Sequence, residues 1–147
     1  ISKPNNDFRS LVKELDKYLS VTDEDEHDFY DQFNSIESLN SIVIAYNDQE
    51  AVGCGAFKKY DASSVEIKRM FVSKNERGTG LAKLLLEELE HWAKESGYKK
   101  CLLETGKRQI EAVKFYQKCQ YQITPPYDQY IGMENSLCFE KKLNESK

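Results

Sequence analysis

Apolar residues recur along this chain at two different periods, and the switches between them outline its organisation. Near the start, Phe8, Leu11, Val12, Leu15, Tyr18 and Leu19 share one face of a 3.6-residue repeat behind Asn5 or Asn6 as a cap. An acidic run follows (Asp23, Glu24, Asp25, Glu26, Asp28), then a short aromatic-rich helix carrying Phe29, Tyr30 and Phe33. The period then drops to two. Residues 41–46 (SIVIAY), 51–59 (AVGCGAFKK) and 65–72 (VEIKRMFV) read as strands joined by the turns Asn47-Asp48-Gln49-Glu50 and Tyr60-Asp61-Ala62-Ser63. Three consecutive strands on short turns predict an antiparallel meander.

Helical spacing returns over 78–96, where Leu81, Leu84, Leu85, Leu89, Trp92 and Ala93 line one face up to a stop at Gly97. Residues 100–104 (KCLLE) read as a strand, 109–118 as a helix, Pro125-Pro126 as a break and 136–142 (SLCFEKK) as a closing strand. A return to the sheet through a helix makes strand 100–104 the parallel neighbour of strand 65–72, by right-handed crossover. The order α-α-β-β-β-α-β-α-β predicts an α/β fold with a mixed central sheet and helices on both faces. No repeat, low-complexity tract or linker interrupts the 147 residues, so one domain over 1–147 is expected.

Charge and cysteine usage narrow the function classes. A net charge of −4 argues against nucleic-acid binding, which needs a basic footprint. No apolar run approaches the ~20 residues of a membrane span, and the opening ISKPNNDF lacks the pattern of a signal peptide. Cys54, Cys101, Cys119 and Cys138 are widely spaced and only two histidines accompany them, so no metal site is expected. Reduced, mostly buried thiols in a cytoplasmic protein are the simplest reading.

The candidate chemistry lies between strand 65–72 and helix 78–96. There Arg77-Gly78-Thr79-Gly80-Leu81-Ala82 forms a glycine loop running into a helix N-terminus. Such a junction offers free N–H groups and the positive end of a helix dipole, a place to hold a pyrophosphate. It is not a P-loop, because Lys83 follows Ala82 with no serine or threonine after it. It is not a dinucleotide fingerprint either, because the third glycine is missing and the preceding sheet is antiparallel. A bare Gly-x-Gly is also compatible with simple loop geometry.

Three blocks in order give the loop a context. Arg77–Ala82 fits R-x-x-G-x-[GA], Ile67-Lys68-Arg69-Met70-Phe71-Val72 precedes it, and Gln109 to Lys118 (QIEAVKFYQK) fits N-x-x-A-x-x-[FL]-Y-x-K, with Tyr121 following. Residues 41–143 thereby resemble the GCN5-related N-acetyltransferases, and the first 40 do so loosely. Gln109 stands where that family has asparagine, and Gln120 where it has glycine.

The resemblance implies acetyl-CoA as co-substrate, an amine as acceptor and direct attack of the amine on the thioester. Dimers are common in that family, so a homodimer is among the implied partners. The resemblance assigns the pyrophosphate to the N–H groups of Gly78, Thr79, Gly80, Leu81 and Ala82, with Arg77 either touching it or bracing the loop. It assigns pantetheine to the freed backbone of Met70, Phe71 and Val72, with an N–H near Met70 polarising the thioester carbonyl. Gln109 joins the cofactor set, and Tyr116 takes the place of the general acid. For the base, Glu66 and Glu104 both lie on strands flanking the expected cleft, and Glu66 is preferred; pairing with Lys68, Arg69 or Lys100 is the structural alternative.

The acidic run 23–28, with His27 inside it, reads either as a lure for a cationic amine or as a solvated loop. Residues 127–135, carrying Tyr127, Tyr130 and Glu134, are placed to close over the acceptor. Two competing functions stand beside acetyl transfer: a non-catalytic acyl-CoA sensor of the same fold, and a nucleotide-binding domain.

Overall fold

The computed structural model describes residues 5–23, 39, 41–127 and 130–143, with the side chains of the first helix described as far as Leu15. Most of the acidic run and the aromatic-rich second helix, residues 24–38, lie outside the described residues. Helix α1 (Asn6–Asp23) is capped by Asn5, whose Oδ1 accepts the Phe8 N–H at 2.9 Å. Strands β1 (Ser41–Asn47), β2 (Glu50–Lys59) and β3 (Ser64–Val72) form the predicted antiparallel meander. A 3-10 turn (Lys74–Glu76) and the glycine loop lead into α2 (Leu81–Glu95). The remaining elements are β4 (Lys100–Gly106), α3 (Ile110–Lys118), β5 (Gln122–Thr124) and β6 (Ser136–Lys142).

The six strands make one mixed sheet in the order β1-β2-β3-β4-β6-β5. Strand β5 is not in the sequence reading. It is a three-residue edge strand ended by Pro125, too short to show a period. Helix α2 starts at Leu81 rather than at residue 78, because Gly78 and Gly80 hold positive φ (80° and 87°) that an α-helix cannot contain. Its end is as expected: the N–H groups of Gly97 and Tyr98 turn back onto the carbonyls of Lys94 and Ala93, a Schellman closure.

Strand alternation divides the core into two layers. Val65, Ile67, Cys101, Leu103 and Phe139 face α2 and α3, meeting Leu86, Leu89, Ala93 and Tyr116. Ile42, Cys54, Ala56 and Phe71 face α1, meeting Phe8, Leu11, Val12 and Leu15. Among the described residues no helix is long and apolar enough to cross a membrane.

Two irregularities open the sheet at its centre. Strands β3 and β4 pair in parallel over Ser64–Glu66 only; beyond Glu66 and Leu102 they part, β3 staying with β2 and β4 with β6. The cleft expected between these two strands is therefore open. In addition, the register between β2 and β3 slips by one residue between Cys54 and Ala56, a β-bulge that sets Arg69 and Met70 against Gly55. Arg69 adopts φ +58°, in the left-handed region.

Candidate active site at the strand splay

The gap between β3 and β4 opens into a cavity of about 880 Å³ that reaches both faces of the sheet. On the α2–α3 side its walls include Gly78, Gly80, Leu81, Ala82, Gln109 and Tyr116. On the α1 side they include Leu15, Glu66, Lys68, Arg69, Glu104 and Tyr130. Of the residues expected at the site, Glu66, Met70, Phe71, Val72, Arg77, Gly78, Gly80, Leu81, Ala82, Gln109 and Tyr116 all line it. Thr79 does not: its hydroxyl donates to the Glu76 carbonyl at 2.6 Å and closes the turn below the loop.

The glycine loop is built for close approach. A Cβ on Gly78 or Gly80 would meet no atom within 4 Å, and both residues sit at positive φ, where a side chain is strained. Gly80 caps α2 with no side-chain hydrogen bond, so the first N–H groups of that helix lack an intrahelical acceptor and face the cavity mouth. Arg77 braces the loop: its Nε donates to the Val72 carbonyl at 3.1 Å and its guanidinium lies 5.7 Å from the Phe71 ring centroid.

Gln109 supplies an independent sign of a ligand. It is buried at the N-cap of α3 on the cavity wall, and among the described residues its Nε2 has no hydrogen-bond partner. A buried amide left in that state costs about 1–3 kcal/mol, which a bound acceptor oxygen would recover. The longer side chain at this position thus still offers an amide to the cleft.

Tyr116 is both core and site. Its ring packs edge-on to Tyr121 at 5.9 Å and beside Phe139 at 6.2 Å, while it lines the cavity from α3. Burial pushes its phenol well above the ordinary value of 10.0, with smaller contributions from Cys119 and Glu104. The group therefore keeps its proton across the neutral and mildly alkaline range. Tyr121, by contrast, donates to the buried Glu90 at 2.8 Å, and Lys141 reaches the same carboxylate at 3.0 Å. That cluster ties α2 to the sheet.

Glu66 is buried and engaged. Its Oε2 accepts the hydroxyls of Tyr127 (3.0 Å) and Tyr130 (3.4 Å) and lies 3.7 Å from the Lys68 ammonium. Burial lowers the Lys68 pKa below 10.5, and the Glu66 charge opposes that shift. The structural pairing of Glu66 with Lys68 is thus present, and Tyr127 and Tyr130 bring their segment against the same carboxylate. His27 and the acidic run around it, apart from the backbone of Asp23, lie outside the described residues.

Sequence reasoning gives Lys68 and Arg69 only as pairing partners, not as walls of the cavity. For Lys68 a signal exists: Glu66 and Lys68 stand two apart on one strand, at positions where a half-buried strand puts one face inward. Arg69 carries no such signal, because its place depends on the bulge. The cysteines are all free, and burial raises Cys54 and Cys101 to about 12 and Cys138 to about 11. Among the described residues no group of three or more His, Cys, Asp or Glu could hold a metal ion.

Comparison with known proteins gives the same family as the loop and the splay. The sequence profile of the acetyltransferase (GNAT) family matches residues 8–121. An Azospirillum brasilense protein named IAA acetyltransferase is 32% identical over 142 residues, covering 90% of this chain and 88% of its own. The crystal structure of a Klebsiella pneumoniae protein classed as an acyl-CoA N-acyltransferase superposes with TM-score 0.79 at 27% identity, over 98% of this chain and 94% of that one. A GNAT acetyltransferase from Elizabethkingia anophelis, solved with acetyl-CoA bound, shares the fold with TM-score 0.64 at 23% identity, over 84% and 87% of the two chains. The chain belongs to the acetyltransferase (GNAT) family and is an acetyl-CoA-dependent N-acetyltransferase.

Proposed function

We propose that this chain, as one catalytic domain over residues 1–147, transfers acetyl from acetyl-CoA to a primary amine by direct attack, with Tyr116 as general acid and Glu66 as base. The observation that carries the reading is the continuous cavity: it joins a glycine-lined helix N-terminus to a buried tyrosine and a buried carboxylate through the gap between β3 and β4. Acetyl-CoA supplies a thioester whose carbonyl carbon the neutral amine attacks, so that the C–S bond breaks and CoA departs as the thiol.

Each residue has a defined task. The N–H groups at Gly78, Gly80, Leu81 and Ala82 bind the pyrophosphate oxygens, and Arg77 holds the loop in shape. The Gln109 amide fixes the pantetheine arm, which runs along Met70–Val72. The bulge at Arg69 and Met70 interrupts the ladder to β2 and frees a backbone N–H to polarise the thioester carbonyl. Tyr116 gives its proton to the departing sulfur, and Glu66 takes one from the amine while Lys68 stays beside it. Acetyl-CoA bound in the Elizabethkingia relative supports the donor assignment. Cytoplasmic residence is part of this reading, supported by four free thiols.

The test is thermal unfolding with acetyl-CoA, CoA, ATP and NAD in parallel. Acetyl-CoA at ~100 times its dissociation constant should stabilise the fold by about 2.7 kcal/mol. Gly80→Val should abolish that shift; no neighbour clashes with the new side chain, but its φ of +87° strains it, so the unliganded variant should melt several degrees below the parent and still unfold cooperatively. A shift with ATP or NAD instead, or an undiminished shift in the variant, would remove the loop from donor binding. Absence of CoA release with every amine tried would favour the acyl-CoA sensor.

A further inference from the structure

Among the described residues, the acceptor side of the cavity carries charges of both signs. Glu66 and Glu104 line it with Lys68 and Arg69, beside the apolar Leu15 and Phe71. Glu66 and Lys68 answer each other: their side chains are 4% and 6% exposed, and Oε2 and Nζ are 3.7 Å apart. Tyr130 joins the two, its hydroxyl 3.4 Å from each. Arg69 and Glu104 then form a second set of opposite charges, on strands that have already parted.

Arg69 is placed there at a cost. A bulky residue at φ +58° is strained by about 1–2 kcal/mol, and such strain survives where the surroundings or a function require it. The bulge also takes Arg69 out of the alternation that carries Glu66 and Lys68. A guanidinium is a planar fork that matches a carboxylate with two parallel hydrogen bonds. With Glu66 already beside Lys68, the second ammonium of a polyamine would meet Arg69 where a carboxylate would be matched.

From this arrangement we infer that the acceptor is a small amine that also bears a carboxylate, an amino acid or close analogue with an apolar side chain. Arg69 holds the carboxylate, Glu104 faces the ammonium end before it loses its proton, and Leu15 and Phe71 receive the side chain. The inference rests on the acetyl-transfer reading and narrows its acceptor. It competes with the lure for cationic amines read from the acidic run.

Matched pairs test it: phenylalanine against 2-phenylethylamine, leucine against 3-methylbutylamine, with spermidine as the polycation. Acetyl-CoA binding is measured first by calorimetry, then CoA release with each acceptor. The acid of each pair should show kcat/KM about tenfold or more above its carboxylate-free partner. Arg69→Gln should bring that ratio toward one through KM, and Arg69→Lys should restore part of it. Equal or reversed ratios in the parent protein overturn the inference without any variant. So do spermidine as the best acceptor, no acetylation of either acid, or a ratio unmoved in Arg69→Gln. Failure to bind acetyl-CoA would instead sink the acetyl-transfer reading itself.

Discussion

In its proposed role, Tyr116 would join packing and chemistry in one side chain. Its ring packs from α3 into the layer shared with α2 and the sheet, and burial raises its pKa, so the phenol would enter the proposed reaction already protonated. Tyr116→Phe removes only the hydroxyl and keeps the ring contacts. Turnover should fall about 100-fold while acetyl-CoA affinity changes by less than a few-fold, as steady-state kinetics and calorimetry would read. No loss of kcat from deprotonation of this group should be seen below about pH 10, the ordinary value for a phenol. A variant with the parent rate would exclude Tyr116 from proton transfer. The identity of this residue was legible in the sequence through the motif around it; its double role was not, because Tyr121 and Phe139 reach it only across the fold.

At the scale of elements, the β2–β3 bulge links core packing to the site. Gly55, opposite the bulge, has no room for a side chain: a Cβ there would stand 2.5 Å from the Met70 sulfur and 2.8 Å from Leu89 Cδ1. Gly55→Ala should therefore push Met70, a cavity-lining residue, away from β2. We expect a stability loss of about 1–3 kcal/mol in urea titrations, with a raised KM for acetyl-CoA. Unchanged KM with lowered stability would show that Met70 relaxes without disturbing the cleft. The strands themselves were readable from their period, but the bulge was not. One extra residue on β3 shifts the register without leaving any mark in a run such as VEIKRMFV.

At the scale of the whole molecule, a buried ion pair stands where β3 and β4 part. Lys68 pairs with Glu66 under Tyr130; burial is the largest influence on it and lowers its pKa, Lys58 and Arg69 act the same way, and Glu66 and Glu104 oppose them. The folded chain therefore sheds this proton before the unfolded chain does, so Lys68 makes stability rise with pH between its lowered value and 10.5. Lys68→Met should abolish that rise relative to the parent, and at neutral pH should cost about 3 kcal/mol by leaving the Glu66 carboxylate buried without its cation. Urea midpoints of both proteins at about pH 8 and about pH 10, on the way to the ordinary lysine value, would check it. A constant difference between them would mean that Lys68 is not buried as a cation.

Among the described residues, the sequence by itself determined every helix and strand except β5, their order, and the glycine loop proposed to hold the donor. Each of these is local: hydrophobic period chooses helix or strand, and glycines before a leucine-rich helix mark a candidate phosphate loop from adjacent residues. Tertiary structure alone decided how the residues of the proposed acceptor side meet. Glu66, Lys68, Tyr127 and Tyr130 meet across some sixty residues of chain, and Arg69 reaches the cavity only because two strands slip by one residue and then part. Long-range contact and register come from the packing of whole elements, so no short stretch of the chain carries them.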